Sequence, residues 1–108
     1  MVFLNAWLWS FAVAAGDIVL QNLPGGYAPA ELSKEVKAAA DFAIDEQARR
    51  EAVPLKLVSI ARAEKQIVAG TNYRLFLTVE RSGSTRQTKV VVFQDLGSHY
   101  SLKSWEWL

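Results

Sequence analysis

The chain has no cysteine, one histidine, one methionine and three prolines in 108 residues. Without cysteine there is no disulfide framework, thiolate metal site or thiol nucleophile. The single histidine, His99, removes multi-histidine metal sites, and beside Tyr100 it reads as a solvated side chain rather than a ligand or base. An excess of one charge is also missing. Twelve basic residues against eleven acidic ones leave a net charge of +1, so no long-range field draws the chain to nucleic acid or to an anionic membrane. No apolar run reaches the ~20 residues a spanning helix requires, so no stable membrane anchor is expected. Glycine-rich phosphate loops are absent too, because Gly25-Gly26 lacks the lysine and the helical start of that motif. What is present, 51% hydrophobic and 21% charged residues, makes one globular domain rather than a disordered chain or coiled coil.

Residues 2–15 (VFLNAWLWSFAVAA) are almost wholly apolar. That run is too short to span a bilayer but has the length of a secretory leader's apolar core, and Ala12-Val13-Ala14 resembles a small-x-small cleavage site. No basic residue precedes it, and Asn5 interrupts it. Residues 1–15 therefore read as a signal peptide or as an extra apolar segment, with residues 16–108 as a single domain. A cleaved leader implies a secreted or extracytoplasmic protein; otherwise the chain is cytoplasmic.

Residues 22–29 (NLPGGYAP) carry two prolines and two adjacent glycines, which predicts a free arm outside regular structure. Leu32, Val36, Ala39, Ala40, Ala43, Ile44 and Gln47 then recur at helical spacing, with Lys34, Lys37, Asp41, Asp45 and Arg49 elsewhere on the cylinder. This predicts one amphipathic helix, started by Pro29, Glu31 and Ser33 and ended by Arg49, Arg50 and Pro54. Its alanine-rich face lets a sheet approach closely, and Phe42 covers the flank. Beyond Pro54 the period changes to two. Tyr73, Leu75, Leu77 and Val79 alternate with more polar neighbours as in a half-buried strand. Extended runs at residues 55–65, 89–93 and 100–107 surround it, with a hairpin turn at Ser82-Gly83 and turns at Gly70 and Gly97. One helix followed by closely connected strands is an α+β fold, an antiparallel sheet with the helix against one face.

No catalytic set emerges. Asp41, Asp45 and Glu46 lie close together on the helix, but their spacing suits ion pairs with Lys37, Arg49 and Arg50. An enzyme is not expected, nor is any cofactor or metal. The alternative is a binding module. Gln66, Ile67, Val68, Ala69 and Gly70 put apolar residues where one strand turns into the next, a place that normally carries polar ones. The plainer reading is a strand that runs long, with Gly70 as a bulge.

These residues resemble the cystatins, inhibitors of papain-like cysteine proteases. Residues 66–70 fit the family's Gln-x-Val-x-Gly hairpin; Phe42-Ala43-Ile44-Asp45 is similar to its helix signature, best known in plant members; Gly25 and Gly26 stand where cystatins keep a glycine arm. The likeness covers roughly residues 23–107. One departure is plain: where the family's second hairpin presents Pro-Trp, this chain has Gln94-Asp95-Leu96-Gly97-Ser98. The loop thus lacks a large aromatic anchor, and Leu96 is its nearest substitute. The absence of cysteine resembles the disulfide-free stefin and plant types.

The resemblance implies a five-stranded antiparallel sheet wrapped on one helix. It also implies a protease-binding wedge of Gly25 and Gly26 in the arm, Gln66, Ile67, Val68, Ala69 and Gly70 in the first hairpin, and Asp95, Leu96 and Gly97 in the second. Its partner is a papain-like cysteine protease, which the inhibitory monomer blocks reversibly. A domain-swapped dimer is implied by the β-branched pair Ile67-Val68, which favours extension over a tight turn. The alternative is a cystatin-like scaffold that binds something else without inhibiting.

Overall fold

The computed structural model describes residues 26–108. The leader expected at residues 1–15, the rest of the chain up to residue 25, and with it Gly25, lie outside the described residues. The elements run β1 (Tyr27–Pro29), α1 (Lys34–Glu51), β2 (Leu55–Val68), β3 (Gly70–Arg81), β4 (Ser84–Gln94) and β5 (Tyr100–Trp107). The strands form one five-stranded sheet in the order β1-β2-β3-β4-β5, antiparallel throughout. This is the expected α+β, cystatin-like architecture.

Helix α1 starts and stops on local chemistry. Ser33 is the N-cap, its hydroxyl accepting from the Val36 amide at 3.2 Å, and Glu35 complements the positive end of the helix dipole. At the other end Ala52 adopts φ 56°. Its amide donates to the Arg49 carbonyl at 3.3 Å, and that of Val53 to Ala48 at 3.2 Å. This is a Schellman closure with alanine where glycine is preferred. Val36, Ala39, Ala40, Ala43 and Ile44 form the buried stripe. It packs on Leu75, Leu77, Val79, Val90, Val92 and Leu102 of the sheet, and the alanines bring the two backbones close. Phe42 stacks on Tyr100 at 5.7 Å, covering the flank of the stripe as expected.

Strand β3 shows the alternation its sequence predicts, with Tyr73, Leu75, Leu77 and Val79 buried. Strand β2 does not alternate, because its register against β3 shifts between Leu57 and Ser59 and again between Ile60 and Arg62. Val58 and Ala61 are the extra residues. Each bulge bends the strand and resets its phase, so Leu55, Leu57, Ile60 and Ala63 all reach the core while Val58 stays 54% exposed. The strand thereby curves around the helix. Thr88, fully buried, is satisfied by donating its hydroxyl to the Glu106 carbonyl at 2.7 Å.

Glu51 joins three elements at the end of the helix. Its carboxylate accepts from Gln47 Nε2 at 2.8 Å, Arg81 Nε at 2.8 Å and Trp107 Nε1 at 3.1 Å. The Gln47 and Arg81 hydrogen bonds, then that of Trp107, hold its carboxyl below the usual range. Among the described residues no helix is long and apolar enough to cross a membrane.

Candidate inhibitory edge

A meander of antiparallel strands puts alternate turns at the same end of the sheet. The β2–β3 turn at Ala69 and the β4–β5 turn at residues 95–99 therefore share one end. Strand β1 brings the arm there as well: Tyr27 lies opposite Gln66, so Gly26 enters beside the first hairpin.

Over its described residues the arm is less free than its composition predicts. Tyr27–Pro29 pairs with residues 64–66 of β2, and the Arg74 guanidinium lies 3.9 Å over the Tyr27 ring. Pro29 is tolerated because β1 is an edge strand, where a missing amide breaks no ladder on the open side.

The first hairpin is also tighter than a loop. Strand β2 runs on through Val68, which pairs with Gly70 across Ala69 alone. The long-strand reading is therefore correct for residues 66–68, and the tip is still apolar: Ile67 is 53% exposed and Val68 43%. Gln66 Oε1 accepts from Asn72 Nδ2 at 2.8 Å, fastening the two strands just below the tip. Gly70 has φ 116°, a region closed to other residues. A Cβ there would stand 2.5 Å from the Gln94 carbonyl oxygen and 2.7 Å from the Phe93 ring. Tyr73, whose phenol burial pushes above its usual pKa, donates its hydroxyl to Gln94 Oε1 at 3.2 Å. The two hairpins are thus joined at their bases.

The second hairpin is closed by Asp95. Its Oδ1 accepts from the Gly97 and His99 amides, both at 2.9 Å. Its own amide donates to the His99 carbonyl at 2.9 Å, and the Ser98 amide donates to the Asp95 carbonyl at 3.0 Å. The His99 and Gly97 amides hold the Asp95 carboxyl below its ordinary value. Leu96 sits at the apex, 83% exposed.

Other sequence candidates separate from this edge or take structural parts. Asp41 pairs with Lys37 at 3.6 Å, and Glu46 pairs with Arg49 and, at 3.3 Å, with Arg50, the helical ion pairs expected from spacing. His99 is exposed, its Nδ1 3.5 Å from Asp95. Among the described residues no group of three or more His, Asp or Glu side chains could hold a metal. Sequence reasoning missed the braces Asn72, Tyr73, Phe93 and Gln94. Nothing in their local pattern marks them, because each acts on a residue brought near by strand pairing.

A family model described as aspartic acid proteinase inhibitor matches residues 31–108. The chain belongs to this cystatin-like family of proteinase inhibitors. It is similar to "Cysteine proteinase inhibitor 1" of Actinidia chinensis var. chinensis, 33% identical over 78 residues, covering 70% of this chain and 67% of that relative. Two Arabidopsis thaliana proteins are also similar. "Cysteine proteinase inhibitor 6" is 32% identical over 93 residues, covering 80% of this chain and 40% of the relative. "Cysteine proteinase inhibitor 7" is 35% identical over 74 residues, covering 65% and 32%. The chain thus spans less than half the length of these two. As a member of a proteinase-inhibitor family the chain is not an enzyme, and its functional surface is sought in what it presents to a protease.

Proposed function

We propose that this family member inhibits papain-like cysteine proteases by entering their active-site cleft with the shared edge of arm and hairpins. The observation that carries the reading is the apolar tip of Ile67 and Val68 beside Leu96 at one end of a braced sheet. Gly25 and Gly26 run along the non-primed side of the cleft, Gln66, Ile67, Val68, Ala69 and Gly70 cover the catalytic cysteine, and the second hairpin meets the far wall through Leu96 at its apex. Apolar residues make this contact without a charge to desolvate. A hairpin held by ladder bonds to its tip loses little entropy on docking, which favours affinity. Occupying the cleft blocks substrate, and no bond in the inhibitor needs to break.

A second target class has its own support. The matching family is described as aspartic acid proteinase inhibitor, and the second hairpin carries Leu96 where the cystatin pattern has tryptophan. The same edge then closes the cleft of an aspartic protease.

The test is titration of the purified monomer against papain and against pepsin, each with a fluorogenic peptide, alongside the double variant Gln66→Ala/Val68→Asp. Nanomolar inhibition of papain, about 12 kcal/mol of binding free energy, that the variant loses supports the first reading. The same pattern with pepsin alone supports the second. No inhibition of either at micromolar concentration leaves a non-inhibitory scaffold.

The hairpin also suggests a dimer. Ile67 and Val68 prefer extension, and opening at Ala69 turns β2 and β3 into one continuous strand that exchanges β1, α1 and β2 between two copies. Such a dimer loses the tip, so a dimer fraction with full inhibitory activity refutes this exchange.

A further inference from the structure

The second hairpin holds a residue that works from inside the turn. We propose that Asp95 is a positioning residue, whose carboxylate holds the 95–99 turn in one shape so that Leu96 is presented as a rigid apolar plug to the target protease. The inference rests on the inhibitory reading above. It departs from the expectation that Asp95 itself touches the protease.

The turn is specified by several contacts. One carboxylate oxygen receives both the Gly97 and His99 amides, and the Asp95 backbone closes the same five residues through His99 and Ser98. Ser98 takes φ 67° to complete the reversal, a conformation that needs such external support. Gly97 leaves room for the cradle: a Cβ there would lie 3.4 Å from Asp95 Oδ1 and 3.2 Å from His99 Nδ1. The root of the turn is equally held, because Gln94 is fastened to Tyr73 and abuts Gly70.

The other charged groups nearby do not compete for this role. His99 Nδ1 lies 3.5 Å from the Asp95 carboxylate, within the same turn. On β5, Lys103 lies over the Phe93 ring, 5.5 Å from its centre. From the first hairpin the groups facing the root are Tyr73 and Gly70, neither charged. Leu96, by contrast, projects 83% exposed at the apex. An isolated exposed leucine on an ordered turn suits insertion into an apolar subsite, and the entropy of ordering that turn is spent before binding. The two amide hydrogen bonds favour the ionised, accepting form of the Asp95 carboxylate.

The experiment uses the full chain against papain and pepsin, with Asp95→Ala, Asp95→Asn, Leu96→Ala and Asp95→Ala/Leu96→Ala, and follows amide exchange at Gly97 and His99. Asparagine keeps an oxygen that accepts from the two amides but carries no charge. Against the protease that the unsubstituted chain inhibits, Asp95→Ala should weaken inhibition by about tenfold and Asp95→Asn should recover most of that loss. The double variant should be no weaker than Leu96→Ala, because Asp95 acts through Leu96. In the free protein, exchange at Gly97 and His99 should rise in Asp95→Ala and stay slow in Asp95→Asn. Asparagine as weak as alanine, additive effects in the double variant, or unchanged exchange each overturn the proposal. If Gln66→Ala/Val68→Asp abolishes inhibition while the Asp95 variants inhibit like the parent, the inhibitory reading stands and this proposal fails. If the parent inhibits neither protease, the inhibitory reading falls and the positioning role falls with it, while exchange still reports whether Asp95 holds the turn.

Discussion

Replacing Gly70 with alanine tests whether the joined bases of the two hairpins hold this end of the sheet together. Two costs add. At φ 116° an alanine suffers backbone strain of about 1–3 kcal/mol. Its Cβ also falls 2.5 Å from the Gln94 carbonyl oxygen and 2.7 Å from Phe93. The ring can swing aside, but the carbonyl belongs to the β4 backbone, and forcing it away costs about 1–3 kcal/mol more. The reduced freedom of the unfolded alanine chain returns about 0.4–1 kcal/mol, leaving a net loss of about 3 kcal/mol at the middle of these ranges. For a domain of this size that lowers Tm by roughly 10–25 °C. Gly83→Ala is the matched control: φ is 81° and nothing lies within 4 Å of the added Cβ, so only the conformational cost applies and the net loss is about 1 kcal/mol. Guanidinium and thermal unfolding by circular dichroism measure both. Equal losses at the two positions would refute the close-approach argument and reduce Gly70 to an ordinary turn glycine.

Ala52→Gly relieves the left-handed alanine that ends α1 and should stabilise by about 0.5–1 kcal/mol, the strain removed less the added chain entropy, read as a higher denaturation midpoint. Glu51→Ala strands the Arg81 and Trp107 donors and should cost about 2 kcal/mol. Because the Glu51 carboxyl is held below its ordinary value, its contribution is complete above the unfolded-state pKa and fades as pH falls through the folded one. The difference between parent and Glu51→Ala should therefore shrink on titrating from pH 6 to below about pH 4, and a pH-independent difference would contradict this. Trp107→Phe loses a bond to a carboxylate, whereas Trp105 Nε1 is buried with no hydrogen-bond partner among the described residues. Trp105→Phe should thus cost about 1 kcal/mol less than Trp107→Phe, and the reverse order in urea unfolding would refute the assignment.

The parts of the fold that were legible in advance are those whose physics is local. Ser33 caps, the alanine stripe repeats at 3.6 and the β3 side chains alternate because each depends on neighbours within a turn or two along the chain. The spacing of Asp95 and Gly97 likewise carries its own turn. Strand β2 was not legible in the same way. Its bulges at Val58 and Ala61 are set by the β3 register, and they erase the period by which a strand is recognised. The arm misled for a similar reason, since two prolines and two glycines predict freedom while the open edge of β2 offered Tyr27–Pro29 a ladder.

The candidate edge divides along the same line. By itself the sequence determined which short segments have apolar tips and glycines, because turn chemistry and side-chain polarity are properties of a few consecutive residues. Only the tertiary structure decided that these segments meet: strand order brings Gly26, Val68 and Leu96 to one end, and Gly70 must be glycine because β4, more than twenty residues onward in the chain, lies against it. Contacts of that range depend on every strand pairing between them, and no local pattern encodes them.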